Sequence, residues 1–573
     1  MKAGRQPVPL KKDFHFLFGY DPIYWRGLRK HGFIDKHAGV RLIQCLYTPR
    51  LRCFNQFAAP GGWLYDEVWK ERRAFLIDRG MGGVAYENYP FDKRLLDAYA
   101  RRLGDKFLGV QFHEWVCNVG NEWSRFREQF LKGDEKVTIR EIEEHFTYRS
   151  VATALETGDP RDFAGKTFPK TTIQFAKYCR ETQERKLADF GGYLTNVASA
   201  GTCHWQALRW GARVVMPEHG HHIPMGRVHM AAARGAVGQE GCGDFGSYYA
   251  PWGNSPDSVT CYTPFSMWYV PAELLCGDAF AHRGNGGSSR AFQRRLFHWA
   301  YLTGARFMAE EWGPENTFYD WESFDLTPYG EAVRDFLAFV RKVGRGEPVV
   351  KTAIVIDREW FGLDTYYLAG AREYLRFFDA PEHQRRVAEF FRALVGHHDS
   401  PGGDDSRVLT ASAMPDAFDV VLDDAKPDFY EGYEVIAYVG ERPGRFLRKM
   451  KGSSCEIIAL DDPVATAEVV TRATVARMPI RVDGRVHWLV NRKPGVLQVG
   501  LFNPEGVTVS FDKGETSKPA AAAKAVISAE GRVPRPSVKT RWPESSGIVR
   551  ISERETEVTV GPGGLVVLEL SAK

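Results

Sequence analysis

The chain has 573 residues, of which 44% are hydrophobic and 26% are charged. This composition is typical of a globular protein with a large core, and it excludes a disordered, collagen-like or disulfide-scaffold protein. At roughly 150 residues per domain, the length predicts three or four domains, or one large barrel with smaller companions. Lys and Arg number 76 against 72 Asp and Glu, so the formal charge of +4 gives no reason to expect a nucleic-acid partner.

The sequence carries no signal for a membrane or for secretion. No apolar run approaches the length of about 18 residues that a membrane helix needs, and the first residues lack a secretory signal. The nine cysteines are an odd number without Cys-x-x-Cys pairs, which is typical of free thiols in a reducing compartment. We therefore expect a cytoplasmic protein with no membrane or nucleic-acid partner.

Short β-rich runs alternate with amphipathic helical segments over the first 345 residues. Eight such β-then-α units predict a (β/α)8 TIM barrel, with a doubly wound open sheet as the alternative. The largest departure from the alternation, between Trp115 and Gly191, should cross one rim of the barrel. The predicted strands lie at residues 14–20, 41–47, 83–86, 107–112, 193–198, 212–216, 244–249 and 305–309.

Two smaller domains are predicted after a linker at residues 344–348. Residues 346–462 again alternate strands and helices, which indicates a small α/β domain with a parallel, flavodoxin-like sheet. From about Val464 the helical pattern is lost, and strands separated by turn residues predict a C-terminal antiparallel β-sandwich. The predicted domains are therefore 1–345, 346–462 and 463–573.

Acidic residues follow several of the predicted barrel strands. The βα loops of a TIM barrel converge at the C-terminal ends of its strands, so side chains at these positions are expected to meet. Side-chain alternation predicts that one of the adjacent Glu310 and Glu311 points into the barrel mouth, and Glu311 is favoured. The candidate carboxylates are Asp21, Glu87, Glu114, Glu218, Glu310 and Glu311.

Carboxylates together with aromatic neighbours predict cleavage of glycosidic bonds. Burial and mutual repulsion separate the pKa values of paired carboxyl groups, so that one serves as acid and the other as base or nucleophile. We predict Glu114 as the general acid/base and Glu311 as the nucleophile, with Glu218 as its nearest competitor; a retaining and an inverting mechanism both stay open. The predicted substrate contacts are Asp21, Glu87, His113, His219, Glu310 and two stacking walls, Trp252 and Trp312.

Two alternative functions remain open at this point. His219, His221 and His222 could serve a metal-dependent barrel hydrolase, but three ligands from one short loop are geometrically awkward, so we expect a polar loop and neither metal nor cofactor. A catalytically inactive carbohydrate-binding protein could keep the same domains. The Gly-rich stretch at 283–289 lacks the ending of a phosphate-binding loop and is expected to be a flexible loop.

The segment Arg-Phe-Met-Ala-Glu-Glu-Trp-Gly-Pro-Glu-Asn-Thr-Phe at 306–318, with Leu-Thr-Pro-Tyr-Gly at 326–330, resembles the last barrel strand and exit helix of family 42 glycoside hydrolases, the β-galactosidase type. In that family a (β/α)8 barrel precedes an α/β domain involved in trimer formation and a small β-sandwich. The resemblance implies a TIM-barrel glycosidase acting on carbohydrate, and a homo-oligomer, dimer or trimer.

The sequence departs from the catalytic pattern of that family's clan. The clan has an Asn-Glu pair after strand four and a Glu nucleophile after strand seven. Here the fourth run ends in His113-Glu114, with Asn121-Glu122 displaced downstream, and the seventh is followed by Ala250-Pro-Trp252. These differences indicate a divergent family with a rearranged catalytic pair.

Overall fold

The computed structural model describes residues 10–43, 54–78, 91–113, 116, 123, 136–138, 140–141, 163–198, 201–220, 223–249, 288–311, 313–368, 382–396, 408–510, 514–529, 537–550, 552 and 554–571. Within these ranges, no helix combines the length and the apolar character needed to span a bilayer.

The first part of the chain forms a closed barrel of eight parallel strands: β1 (His15–Gly19), β2 (Ala38–Ile43), β3 (Phe75–Asp78), β4 (Phe107–His113), β5 (Leu194–Ala198), β6 (Val214–His219), β7 (Asp244–Tyr249) and β8 (Phe307–Glu310). The strands follow one another in chain order, and β1 pairs with both β2 and β8, which closes the ring. The predicted TIM barrel is confirmed, and the open doubly wound sheet is excluded.

Helices alternate with these strands along the chain. In the helix at Lys93–Leu103, the buried side chains Leu96, Tyr99 and Leu103 recur at helical spacing on one face, while basic residues occupy the other. The helices are α1 (Pro22–Lys30), α2 (Phe54–Phe57), α3 (Lys93–Leu103), α4 (Thr172–Asp189), α5 (His204–Arg209), α6 (Gly226–Glu240), α7 (Arg290–Leu302), α8 (Gly313–Asn316) and α9 (Pro328–Lys342), with a π-helical turn at Tyr65–Lys70.

The third barrel strand is not where the sequence predicted it. The strand placed at residues 83–86 is wrong as the third strand, because β3 (Phe75–Asp78) fills that position between β2 and β4. All four residues of β3 are buried, and a four-residue run enclosed on both faces has no alternation to distinguish it from other short apolar runs. Residues 79–90 lie outside the described ranges.

The barrel interior is a separate apolar cluster. It contains residues from seven of the eight strands, and in β2 the interior position is Gly39, where an added Cβ would lie 2.4 Å from Leu17 Cδ2. A glycine is needed there because the opposite leucine already fills the space. The cluster consists of Leu17, Ala74, Leu76, Leu108, Val197, Val214, Met216, Tyr248, Phe307 and Ala309.

A four-stranded parallel sheet follows the barrel, in the order β11-β10-β12-β13. Its strands are β10 (Thr352–Ile356), β11 (Phe418–Leu422), β12 (Val435–Tyr438) and β13 (Glu456–Ala459). Its helices are α10 (Thr365–Leu368), α11 (Glu382–Val395), α12 (Pro427–Tyr430), α13 (Pro443–Lys449) and α14 (Pro463–Val475). This parallel sheet with its helices is the α/β unit that the sequence predicts.

The prediction that helices end at Val464 is wrong, because α14 begins at Pro463 and continues to Val475. Asp462 caps this helix by accepting a hydrogen bond of 2.8 Å from Ala465 N, and proline at the first position favours a helix start. The Val and Thr residues of α14 have low helix propensity, which concealed it in the sequence. Thr474 lies 2.6 Å from Thr352 of β10, oxygen to oxygen, so α14 packs on the parallel sheet.

The remaining strands form antiparallel sheets around a second core. One sheet has the order β14-β19-β22-β21, another has the order β20-β23-β16-β15-β9, and β17-β18 is a hairpin. The predicted linker supplies β9, which pairs with β15. The strands are β9 (Glu347–Pro348), β14 (Arg481–Gly484), β15 (His487–Lys493), β16 (Val496–Phe502), β17 (Val507–Ser510), β18 (Gly514–Ser517), β19 (Ala523–Ser528), β20 (Ser537–Trp542), β21 (Gly547–Arg550), β22 (Glu555–Val560) and β23 (Leu565–Ser571).

Asp416 joins the barrel, the parallel sheet and the antiparallel sheets. It lies just before β11 and accepts hydrogen bonds from Arg227 Nε of α6 (2.7 Å) and Trp299 Nε1 of α7 (2.6 Å). His487 Nε2 of β15 lies 2.5 Å from the same carboxylate. Burial by itself would raise the pKa of Asp416, but the positive charge of Arg227 and the hydrogen bonds from His487 and Trp299 hold it well below its usual value.

Candidate active site

Polar side chains replace the apolar ones at the C-terminal end of the barrel interior. Met216, Leu76 and Ala309 belong to the interior cluster, and the next residue on the same face of each strand is a carboxylate. The residues at this level are Arg41, Asp78, His113, Glu218, Tyr248 and Glu311, contributed by β2, β3, β4, β6, β7 and the end of β8.

Arg41 is the best-connected of these side chains. It is 2% exposed, and its Nε donates to Asp78 Oδ2 at 2.5 Å while its Nη2 donates to the Tyr248 hydroxyl at 2.7 Å. Its Nη1 donates to the carbonyl oxygens of Glu310 and Glu311, the second at 2.8 Å. Burial by itself would lower the pKa of Arg41, but the Asp78 carboxylate raises it above the usual value. The guanidinium therefore stays charged and links four strands.

The Glu311 carboxylate lies beside the imidazole of His113. Glu311 is 7% exposed, and its Oε1 is 3.8 Å from His113 Nε2. The Gln111 amide nitrogen is 2.9 Å from His113 Nδ1, and an amide NH2 can only donate, so a neutral His113 carries its proton on Nε2, toward Glu311. The Glu311 amide donates to the Tyr249 carbonyl at 2.8 Å, which extends the β7–β8 ladder by one residue.

Glu310 and His219 point away from this interior. The Glu310 carboxylate accepts hydrogen bonds from the hydroxyls of Tyr24 (3.2 Å) and Tyr329, and both tyrosines belong to helices around the barrel. His219 is fully buried, with Nδ1 at 2.9 Å from Ser247 Oγ, and burial lowers its pKa to about 3. Alternation along β6 and β8 therefore separates these two predicted substrate contacts from Glu218 and Glu311.

The remaining predicted site residues lie elsewhere or outside the described ranges. Asp21 caps α1, because its carboxylate accepts hydrogen bonds from the amides of Ile23 (2.8 Å) and Tyr24 (3.2 Å). Four further predicted residues lie outside the described ranges: Glu87, Glu114, Trp252 and Trp312.

Sequence reasoning missed Arg41, Asp78, Gln111 and Tyr248. Arg41 stands inside an apolar strand, and a charged residue at an interior position of a barrel strand is a signal that could have been used. Asp78 was missed because its strand was not recognised, so no strand end pointed to it.

No group of three or more His, Cys, Asp or Glu side chains has the geometry of a metal site within the described ranges. His221 and His222 fall outside those ranges, so the metal interpretation of this loop stays untested. Besides the Arg41–Asp78 ion pair, the described interior offers two carboxylates, an imidazole and a phenol at one end of the barrel. Such a set can donate and accept protons at a bond held between the carboxylates.

Solved structures with the same fold include a catalytic mutant of Gan42B, a family 42 β-galactosidase from G. stearothermophilus. Its sequence is 10% identical to that of this chain, and the structural alignment covers 100% of both chains with a TM-score of 0.53. A second structure of Gan42B is 8% identical, covers 99% of both chains and has a TM-score of 0.50. No protein-family model matches the sequence, and no curated protein matches it. The two alignments with solved structures show that the whole chain shares its fold with family 42 β-galactosidases.

Proposed function

We propose that the protein is a glycoside hydrolase that removes terminal sugars from glycans or glycosides. The observation that carries this proposal is the pair of buried carboxylates, Glu218 and Glu311, facing the interior at the C-terminal end of a closed barrel. In TIM-barrel enzymes the chemistry is performed at this end. The fold shared with β-galactosidases supports the same reaction class.

Glu311 is proposed as the nucleophile. Its main chain is held by Arg41, whose positive charge also interacts with the Glu311 carboxylate. A nearby cation favours the ionised carboxylate that a nucleophile requires. His113, 3.8 Å from Glu311, can donate a hydrogen bond to it or to a sugar hydroxyl bound beside it.

Glu114 is proposed as the general acid/base, and Glu218 is the competing candidate. Glu114 directly follows His113 in the sequence, and the side chain of His113 already contacts Glu311. Glu218 is 2% exposed and faces the same interior from β6. Single substitutions at these two positions decide which of them works with Glu311.

The test is a screen of the purified full-length protein against chromogenic monosaccharide glycosides, followed by single Glu→Gln variants at Glu114, Glu218 and Glu311. Loss of a true catalytic carboxylate should lower kcat by at least about 100-fold without changing the far-ultraviolet circular dichroism. The exposed Glu322, on the loop after α8, provides the control variant Glu322→Gln, which should keep full activity.

Activity near that of the wild type in all three variants would contradict the assignment. Binding of glycans without turnover across the panel would favour the carbohydrate-binding alternative. Nuclear magnetic resonance of the first-formed anomer then distinguishes retention from inversion, for which carboxyl separations of about 5–5.5 Å and about 6.5–9.5 Å are typical.

A cytoplasmic location and a homo-oligomeric state, dimer or trimer, are part of the same proposal. The cysteine pattern supports the first, and the resemblance of the α/β unit to the trimer-forming domain of family 42 supports the second. Cell fractionation and sedimentation of the full-length protein test these two statements independently of activity.

A further inference from the structure

A cavity of about 400 Å³ lies at the opposite end of the barrel from Glu311. Its wall includes residues 10–12, which precede β1, and Gly304, which lies ahead of β8, so it is at the N-terminal end of the strands. The linker at residues 345–348 and the β15–β16 turn at residues 492–495 complete the wall. The volume falls within the range of roughly 300–1,000 Å³ typical of small-molecule sites.

The cavity wall carries more positive than negative charge. Lys11, Lys12, Arg345, Arg492 and Lys493 line it, against the single acidic residue Glu347.

Three of these cations already have carboxylate partners. Lys11 Nζ is 2.9 Å from both Asp105 and Asp244, and Lys493 pairs with Glu569. Lys12 Nζ is 3.6 Å from Glu347. The two arginines therefore account for the excess positive charge of the wall.

Arg345 is a half-buried cation whose hydrogen bonds go to main-chain carbonyls. It donates to Tyr301 O at 2.9 Å, to Ala305 O at 2.5 Å and to Lys11 O at 3.2 Å. Burial lowers the pKa of Arg345 to about 10, and the nearest acidic influence, Asp13, is already paired with Arg306. Within the described ranges, no carboxylate forms an ion pair with Arg345.

Arg492 is exposed at the end of β15, and no carboxylate among the described residues lies within ion-pair distance of it. Its backbone pairs with Glu347 of β9, which brings it to the same wall as Arg345. A half-buried cation without a carboxylate partner, such as Arg345, is unfavourable, and a bound anion beside it reduces that penalty.

We propose that this cavity binds a small organic phosphate, such as a sugar phosphate. A phosphomonoester carries close to two negative charges and three acceptor oxygens, which suits guanidinium groups that donate in a planar fork. Leu10, Pro348 and Pro494 supply apolar wall for the organic part of the ligand. The site is separate from the proposed active site, and its occupant does not compete with a glycoside substrate.

Isothermal titration calorimetry of the full-length protein with glucose 6-phosphate, glucose, inorganic phosphate and citrate tests the proposal. Glucose 6-phosphate should bind and raise the melting temperature, whereas glucose and citrate should not. Arg492→Gln should weaken glucose 6-phosphate binding by at least about tenfold, because a charge-assisted hydrogen bond is lost.

Arg541→Gln is the matched control, because Arg541 is an exposed arginine in β20, the opposite edge of the same sheet. It should leave binding unchanged. Glu311→Gln should also bind normally, which separates this site from the proposed glycosidase activity. The absence of binding at millimolar glucose 6-phosphate would overturn the proposal, and so would citrate binding as tightly as glucose 6-phosphate. An equal loss of glucose 6-phosphate affinity in Arg492→Gln and Arg541→Gln, or a loss of that affinity in Glu311→Gln, would also overturn it.

Discussion

Arg41 and Asp78 show how a charge is kept inside the barrel. Both side chains are 2% exposed, and removing two such ions from water is costly unless each has a partner. Asp78 supplies the opposite charge, and the Tyr248 hydroxyl and the carbonyl oxygens of Glu310 and Glu311 accept the remaining guanidinium protons. The pair therefore fixes the main chain at the end of β8, where the proposed nucleophile lies.

Removing one partner of this pair should destabilise the protein strongly. Asp78→Asn leaves the Arg41 charge buried without its counter-charge, so we expect the free energy of unfolding to fall by about 3–5 kcal/mol. Urea denaturation followed by circular dichroism measures this loss.

The double variant Arg41→Met with Asp78→Leu is the control, because it removes both charges and leaves neither ion buried alone. It should recover most of the stability. Hydrolysis should nevertheless stay impaired in the double variant, because Arg41 no longer donates to the carbonyl oxygens of Glu310 and Glu311. Equal destabilisation of the single and double variants would show that packing, and not charge, dominates at this position.

At the level of a single element, β8 separates two adjacent carboxylates. Phe307 and Ala309 belong to the barrel interior, so Glu311 continues that face and Glu310 takes the other. On that other face, the hydroxyls of Tyr24 and Tyr329 hold Glu310 against the surrounding helices. One position along the strand thus decides between a packing role and a place in the candidate site.

This separation predicts opposite phenotypes for neighbouring substitutions. Glu310→Gln should lower the free energy of unfolding by about 1–3 kcal/mol, because a charged acceptor for two buried hydroxyls is lost, while kcat stays within about tenfold of the wild type. Glu311→Gln should leave the melting temperature nearly unchanged and remove hydrolysis. Melting curves and steady-state kinetics on the same preparations measure both effects. Loss of hydrolysis in Glu310→Gln together with destabilisation in Glu311→Gln would contradict the assignment.

At the level of the whole molecule, Asp416 is the point where three parts of the chain meet. Asp416→Asn should cost about 3–5 kcal/mol, because Arg227 would remain buried without its carboxylate. Since this carboxylate ties the barrel helices to the antiparallel sheets, we expect the wild type to melt in one calorimetric transition and the variant in two. Asp428→Asn, an exposed aspartate of α12, is the control that should melt as the wild type does.

A buried histidine cluster behind β6 predicts acid sensitivity. The ring centres of His204 and His229 are 5.0 Å apart, and those of His219 and His229 are 6.1 Å apart. Burial lowers the pKa of His204 and His219 to about 3 and that of His229 well below 6.5. The unfolded chain therefore binds more protons below its histidine pKa of about 6.5, so stability is full above that pH and falls as the pH drops.

At pH 5 each of these histidines should cost roughly 2 kcal/mol of stability, and the melting temperature should fall steeply between about pH 7 and pH 5. His229→Leu should reduce that fall, because neither ring nitrogen of His229 has a hydrogen-bond partner among the described residues. The partly exposed His31 gives the control His31→Gln, whose melting temperature should keep the wild-type pH dependence. A pH-independent melting temperature would contradict this account.

The sequence by itself determined the class of the barrel and most of the strand ends from which the candidate site residues were chosen. Runs such as FHFLFGY and FLGVQFH are local patterns, and β propensity followed by punctuation is enough to indicate a strand and its C-terminal end. Alternation along such strands is also local, so it is enough to favour Glu311 over Glu310 as the residue that faces the interior. Glu218, Glu311 and His113 were placed at strand ends for the same reason, and their catalytic and binding roles stay predictions.

Only the tertiary structure decided which polar groups share the interior. Arg41 meets Asp78 across 37 residues of chain and Tyr248 across 207, and such pairings leave no local pattern. The third strand is recognised only through its pairing with β2 and β4. His219 lies on the outer face of β6, and Asp21 caps α1, so neither side chain joins the interior group. Local sequence determines where the helices and strands form. What each side chain faces depends on closure of the barrel, because closure requires distant strands to pair in register.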